Sequence, residues 1–240
     1  MIKFFRRIRH NMIKENKFSK YFLYAIGEIL LVVIGIVIAL AISKWNNEAN
    51  DRETEQKLLY ELSQGIKNDK LLIENELLKT NKAITDVKKL DSLLKQETPE
   101  PDEELNFLFG TVYGLKHLRL NKALYEELKS VGLGIVQDDK LRSQIIQVFE
   151  NHYSQIDGLL ESERSINQVN RPYYLSNFNS IRFSEYAKPI DIDKLWSDPY
   201  YKNIVHYRIV TLEYNQKVVY EKSILDINLL LELIDKNLKI

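Results

Sequence analysis

The stretch that decides the fold is Tyr21–Ile42, YFLYAIGEILLVVIGIVIALAI, in which fourteen residues are Leu, Ile, Val or Phe and one, Glu28, is charged. As a helix, 22 residues extend about 33 Å, enough for a hydrocarbon core of about 30 Å. The apolar residues favour insertion by roughly 4–8 kcal/mol, which exceeds the ~3 kcal/mol cost of a charge at the helix centre. We therefore predict a transmembrane helix over residues 21–43.

The same stretch has a second interpretation as a secretory signal peptide. Ala39-Leu40-Ala41 has the small-x-small pattern of a signal-peptidase site, and cleavage after Ala41 would remove the span. Trp45 lies where an interfacial aromatic anchor belongs, and the basic segment before the span is long for a signal peptide. These features favour a retained anchor, and cleavage remains the alternative.

The charges that flank the span predict its orientation. Residues 1–20 contain seven Lys or Arg and one Glu, whereas only Lys44, Arg52 and Lys57 lie within about 15 residues after the span. The positive-inside rule places the N-terminus in the cytoplasm and residues 44–240 outside it, in the periplasm of a Gram-negative cell. We interpret residues 1–20 as a basic segment on the inner face of the cytoplasmic (inner) membrane. The expected partner of this segment is the lipid bilayer, and no nucleic acid is expected.

The composition of the 240-residue chain excludes several classes of protein. It has no cysteine, so disulfides, thiolate nucleophiles and Cys-ligated metals are excluded. Only 13 residues are Gly or Pro, too few for the many tight turns of an all-β fold. The 45% of hydrophobic residues is far above what a disordered chain contains.

Residues 44–240 are predicted to form an all-α domain. Apolar residues recur at steps of three and four, and the breaks fall at Pro99, Gly132 and Pro172. The predicted helices cover residues 45–98, 102–117, 121–132, 138–170 and 198–237, with no strand and with an irregular segment at 173–197. The expected architecture is an antiparallel up-and-down helical bundle with a long, stalk-like first helix continuous with the membrane span. Its predicted core includes Leu62, Ile66, Leu77, Ile84, Leu141, Ile145, Ile156, Leu231 and Ile234.

Motifs that would carry catalysis or bind a metal are missing from the sequence. None of the four histidines has Glu three residues before it, and there is no HExxH, GxSxG or Walker motif. We expect no enzymatic activity, no metal and no cofactor. His152 is interpreted as a packed, hydrogen-bonded histidine, with a ligand or pH-sensing role as the alternative. Gly110 and Gly114 predict a close approach between helices.

Three residues of the span are candidates for contact with another membrane helix. Gly35 and Ala39 are four residues apart, a spacing of small side chains that favours helix association in lipid and is compatible with a homo-oligomer. The alternative is that they reflect the ordinary Gly and Ala content of membrane helices. Glu28 would contact a membrane partner or an ion pathway, or would extend to the nearby interface.

The candidate recognition surface outside the membrane is rich in aromatic residues. Residues 172–207 contain nine aromatics, a share of 25% compared with 10% for the whole chain, with Arg171 just before them and Arg182 and Lys188 among them. Such side chains bury large areas at contacts with partners. The alternative is a local core at one end of the bundle. The candidates are Tyr173, Tyr174, Phe183, Tyr186 and Trp196.

Two stretches of the sequence resemble a known family. After the basic start MIKFFRRIR, the stretch Tyr24–Asn46 is similar to an uncharacterised family of single-pass membrane proteins of flavobacteria and other Bacteroidota. A second stretch, LYEELKSVG at 124–132 followed by Ile135 and DDKLR at 138–142, resembles another segment of that family, with Val131 as a departure. The resemblance implies an inner-membrane location and a helical domain outside the cytoplasm, and it implies no activity.

These observations predict a membrane-anchored periplasmic helical protein without catalytic activity. The favoured function is an interaction or scaffold component of a membrane complex, with a membrane or periplasmic protein as partner. The alternative function is a ligand-sensing bundle that signals through a partner membrane protein, since the cytoplasmic segment is too short for an output domain.

Overall fold

The computed structural model describes residues 18–114 and 118–238, and helices account for most of them, as predicted. The chain divides into two units, Met1–Thr54 and Glu55–Ile240. The predicted basic segment 1–20 lies outside the described residues except for residues 18–20.

Helix α1 runs from Phe18 to Leu93, so the predicted span and the predicted long first helix form one continuous element. An 18-residue window within it has a mean hydropathy of 2.9, and none of that window is buried. By its length and composition this part of α1 can cross a membrane.

The later helices follow the predicted order with several changes of boundary. They are α2 (Glu103–Val112), α3 (Ala123–Val131), α4 (Asp139–Ile146), α5 (Tyr153–Asn177), α6 (Ile192–Ser197), α7 (Pro199–Val210) and α8 (Lys217–Asn237). A short 3₁₀ turn, Leu133–Ile135, follows α3. Two π-helical segments, Gln147–His152 and Thr211–Gln216, join α4 to α5 and α7 to α8.

Aspartate caps define three of the predicted helix starts. Asp102 accepts a hydrogen bond from Leu105 N at 2.7 Å, and the side chains of Asp138 and Asp198 accept from backbone N–H groups at the starts of α4 and α7. Gly132 follows α3 with φ 108°, a conformation that favours glycine. The predicted starts at these three caps and the predicted end at Gly132 are confirmed.

The prediction for residues 170–197 was wrong. Helix α5 continues through Pro172 to Asn177, because Tyr174 in its last turn is buried against Phe178 and Tyr113 and this packing offsets the backbone bond that proline removes. An antiparallel hairpin follows, with β1 at Phe178–Arg182 and β2 at Tyr186–Pro189. The sequence FNSIR of β1 lacks strict apolar–polar alternation, and the strand pairing shifts register between Asn179 and Arg182, so the alternating pattern of a strand is missing.

Gly110 seats this hairpin on α2. A Cβ at position 110 would lie 2.1 Å from the backbone nitrogen of Tyr186, so only glycine allows β2 this close. The backbone N–H of Ser184 also donates to the carbonyl of Gly110 at 3.0 Å. The predicted close approach at Gly110 is therefore to a strand and not to another helix.

The buried apolar residues of the second unit form two clusters. The first cluster includes Leu59, Leu62, Ile66, Leu128, Leu141, Ile145, Tyr153, Ile156, Ile227 and Ile234. The second cluster includes Ile84, Leu90, Phe109, Tyr113, Tyr174, Phe178, Trp196, Tyr201 and Leu212. Of the nine predicted core residues seven are buried, and Leu77 and Leu231 are half-buried beside the first cluster.

The order in which the helices enter the two clusters gives their direction. Along the chain, α1 and α4–α5 pass from the first cluster to the second, whereas α7–α8 passes from the second to the first. Helices α1 and α5 therefore run in the same sense, which differs from strict up-and-down alternation. The reason is that the chain returns to the first cluster after α2, where Leu118, Tyr125 and Leu128 are buried.

Candidate functional site

The three membrane candidates lie on the exposed surface of α1. Glu28, Gly35 and Ala39 are all exposed, and a Cβ at Gly35 would meet nothing within 4 Å. The first and last of them are 11 residues apart, close to three helical turns, so all three share one face of the helix.

Two of the aromatic candidates belong to the core. Tyr174 is buried, with its ring 5.0 Å from that of Phe178 and nearly parallel to it. Trp196 is also buried, and its indole N–H donates to the carbonyl of Gln96 at 3.0 Å. The local-core alternative therefore applies to both, because neither side chain has a face left for a partner.

The other three aromatic candidates are more accessible. Tyr173 is half-buried, and its hydroxyl donates to Asp198 Oδ2 at 2.5 Å. Burial, together with this bond to a carboxylate, raises the pKa of Tyr173 above its ordinary value. Tyr186 is half-buried under Arg182, and Phe183 is exposed in the turn of the hairpin with its ring 4.6 Å from that of Tyr113.

A shallow groove with a volume of about 390 Å³ lies between α5 and α7. None of the described residues that line it is charged, although 28% of the whole chain is. Val169 is 70% exposed, and Tyr200 and Tyr207 are each about half exposed. The lining residues are Ser165, Ile166, Val169, Asn170, Tyr200, Asn203, Ile204 and Tyr207.

The tyrosines of this groove continue as an exposed stripe along α7 and the π-helical segment after it. The stripe consists of Tyr200, Asn203, Tyr207, Val210 and Tyr214, at alternating steps of three and four, and all five are exposed. This is the spacing with which one helix packs against another. The aromatic-rich segment 172–207 contains two of these tyrosines, and their spacing was visible in the sequence.

A second, larger cleft of about 590 Å³ lies between α1, α2, the hairpin turn and α7. Its lining is charged, in contrast to that of the groove. The described lining residues include three cations and three carboxylates, together with the rings of Phe107 and Phe183. The charged members are Lys79, Lys82, Arg208, Glu76, Asp86 and Glu185.

A buried polar network lies beside this cleft, between the two apolar clusters. Arg208 Nη1 donates to Glu163 Oε1 at 2.5 Å, and the side-chain amide of Gln216 donates to the same oxygen. All three residues are at least 94% buried. Glu163 Oε2, Arg208 Nε and Gln216 Oε1 have no hydrogen-bond partner among the described residues. The network joins residues 45 and 53 positions apart, so no local sequence signal marks it.

His152 is buried in the π-helical segment between α4 and α5. Its Nε2 lies 2.5 Å from Asp226 Oδ2 on α8, and Nδ1 has no partner among the described residues. His152 is therefore packed and hydrogen-bonded, as predicted from the sequence. Within the described ranges no three acidic or histidine side chains are grouped so that they could hold a metal ion.

Comparison with known proteins places the chain beside one family. The family model described as "Family of unknown function (DUF6090)" matches residues 28–170, more than half of the chain. The match includes Glu28, Gly35 and Ala39 and the whole of the second resembling stretch, and it ends before α7. No curated protein and no solved structure matches the chain.

Proposed function

This chain belongs to the DUF6090 family, whose function is unknown, and from its own residues we propose that it is a membrane-anchored docking protein. In this proposal the apolar part of α1 anchors the protein, and the groove between α5 and α7 holds one helix of a partner protein. The protein would act as a non-catalytic component of a membrane complex.

The observation that carries the proposal is the uncharged groove with its exposed stripe. Large apolar and aromatic side chains on a water-exposed face mark contact sites, and Tyr is enriched at such contacts because its apolar ring carries a polar tip. The stripe from Tyr200 to Tyr214 covers 14 residue steps, or about 21 Å of helix.

The chemistry of the groove defines its occupant. Since no described lining residue is charged, a charged side chain placed there would lose its water without gaining an ionic partner. An amphipathic helix of about four turns, with its apolar face toward α5 and α7, matches both the lining and the length of the stripe.

We also propose that the N-terminus is cytoplasmic and that residues 44–240 lie in the periplasm, anchored in the inner membrane. The support is the excess of basic residues before the span, seven compared with three after it. A reporter enzyme that is active only outside the cytoplasm, fused after Ile240, should be active. Activity of a cytoplasm-specific reporter alone would reverse the proposed topology.

Photo-crosslinking in native membranes tests the docking face. A photoreactive amino acid at Val169 or at Tyr207 of the full-length protein should give an adduct with one discrete protein, identified by mass spectrometry. The matched control is Leu225 on α8, which is 67% exposed and lies outside the groove, and it should give no such adduct.

Substitution of the two tyrosines sharpens this test. The adduct at Val169 should disappear when Tyr200→Asp and Tyr207→Asp are combined, because two carboxylates would face an apolar helix. Both side chains are half exposed, so circular dichroism should be unchanged. An equal adduct at Leu225 would contradict the proposal, and an adduct between two copies of the chain would replace the partner helix with self-association.

A further inference from the structure

The charged cleft contains a cation, Arg208, that a buried carboxylate holds in place. Arg208 is only 6% exposed, yet its side chain lines the cleft. Its Nη1 donates to the Glu163 carboxylate, while Nε has no partner among the described residues. The planar guanidinium matches the shape of a carboxylate, and an arginine already held by a buried partner loses little freedom when it binds one.

Gly114 lets the guanidinium of Arg208 and the hydroxyl of Ser184 pack closely against the backbone at the edge of the cleft. A Cβ at position 114 would lie 3.1 Å from Arg208 Nη2 and 3.0 Å from Ser184 Oγ. The glycine is held in place by Asn167, whose side-chain amide donates to the Gly114 carbonyl at 2.7 Å. A larger residue at position 114 would displace Arg208 Nη2 or Ser184 Oγ from its position in the cleft.

Two carboxylates form the negative side of the cleft. Asp86 on α1 is half-buried, and desolvation raises its pKa although Lys82 and Lys89 oppose that effect. Glu185 is exposed in the hairpin turn. By contrast, Glu76 is occupied by Lys79, whose Nζ lies 2.7 Å away. Asp86 and Glu185 are therefore the carboxylates that can receive a cation from a ligand.

Apolar surface completes the cleft. The ring of Phe107 lies under Lys82, with the ammonium 5.4 Å from the ring centre, and Phe183 faces the cleft from the hairpin. The volume of about 590 Å³ falls within the range of small-molecule pockets.

We propose that this cleft binds a small zwitterion, an amino acid or a short peptide with an apolar side chain. Its carboxylate binds Arg208, its ammonium group binds Asp86 and Glu185, and its apolar side chain packs on Phe107 and Phe183. Among the described lining residues the three cations balance the three carboxylates, which suits a ligand that is itself neutral overall. The zwitterion site is independent of the docking groove. It would be the ligand-binding site that the alternative function, a ligand-sensing bundle, requires.

Calorimetry on the full-length protein in detergent tests the proposal. The probes are L-leucine and the dipeptide Leu-Leu, which distinguish an amino acid site from a peptide site. Their N-acetylated forms lack the ammonium group and their amides lack the carboxylate. One of the two zwitterions should bind, and removal of either charged group should weaken binding about tenfold or more, the effect of losing a charge-assisted hydrogen bond.

Two variants connect the binding to the cleft. Asp86→Asn keeps the shape of the side chain and should weaken binding of the zwitterion about tenfold, with little effect on the N-acetylated form. Gly114→Val should abolish binding of every probe. The control is Asp235→Asn, an exposed carboxylate outside the cleft, which should bind like the wild type. No binding of either zwitterion at millimolar concentration, or equal binding by Asp86→Asn and wild type, would overturn the proposal.

Discussion

The two apolar clusters of the second unit differ in how they are built. The first cluster is supplied almost entirely by helices, and four of its 20 buried residues are aromatic. The second cluster has six aromatics among 19 buried residues and includes Phe178 and Ala187 from the hairpin. Both the groove and the charged cleft border the second cluster. Ile204, a member of this cluster, lines the groove. Arg208, which lines the cleft, lies in the chain between the cluster members Val205 and Ile209.

The difference teaches where a helical protein leaves space for ligands. Long amphipathic helices meet along continuous apolar faces and close the gap between them. Short elements and large rings pack at varied angles, and their ends and turns leave concave surfaces. In this protein the hairpin turn contributes one wall of the cleft, with Phe183, Ser184 and Glu185.

The largest effect is expected where the two clusters meet. Arg208→Met would leave the Glu163 carboxylate buried without its cation and should lower the free energy of unfolding by about 3–5 kcal/mol. Urea unfolding of the full-length protein measures this loss. The double variant Glu163→Met/Arg208→Met should be more stable than Arg208→Met, because no buried charge is then unpaired. A loss below about 1 kcal/mol for Arg208→Met would show that the region between the two clusters tolerates an unpaired Glu163 carboxylate.

A smaller effect is expected at the seat of the hairpin, which is specific to the second cluster. Gly110→Ala places a Cβ against the backbone of Tyr186 and should cost about 1–3 kcal/mol of unfolding free energy. The control is Gly158→Ala in α5, where a Cβ meets nothing within 4 Å and helix propensity should add about 0.5–1 kcal/mol. Equal effects of the two changes would mean that the hairpin does not require this close approach.

The smallest effect is a pH dependence that distinguishes two carboxylates near the first cluster. Burial raises the pKa of Asp69 above 3.8, although the Tyr153 hydroxyl at 2.9 Å and the Asn121 backbone N–H donate to it. The stability contributed by protonated Asp69 is present below pH 3.8 and is lost as pH rises through the folded pKa. Backbone N–H groups lower the pKa of Asp138, so its contribution is present above pH 3.8 and is lost as pH falls through the folded pKa.

Unfolding of the wild type, Asp69→Asn and Asp138→Asn between about pH 3 and pH 7 tests these opposite signs. The advantage of the wild type over Asp138→Asn should shrink in acid, and its advantage over Asp69→Asn should grow. A change in the same direction for both variants would contradict the assignment.

The sequence predicted the first cluster better than the second. Leu62, Ile66, Leu141, Ile145, Ile156 and Ile234 are all buried in the first cluster, whereas Ile84 is the one predicted core residue buried in the second. Periodicity identifies the buried face of a long helix because that face repeats every three or four residues. The aromatics of the second cluster come from short elements with no repeat to detect.

The candidate site was likewise only partly predictable from the sequence. Composition indicated that the segment around 172–207 is rich in aromatics, and two groove residues, Tyr200 and Tyr207, lie within it. It did not show that Tyr174 and Trp196 are buried while Val169 and Tyr207 are exposed, because exposure depends on which elements cover each ring.

By itself the sequence determined the apolar segment of α1, the helical class, the aspartate-capped helix starts and the end of α3 at Gly132. Each of these depends on local chemistry: the hydropathy of one segment, the periodicity of one helix, or a side chain that bonds to the next turn. The tertiary structure alone decided the hairpin seated on Gly110, the shared direction of α1 and α5, and the pairing of Arg208 with Glu163. These depend on contacts between residues distant in the chain, and in a single sequence no local pattern records which distant residues meet.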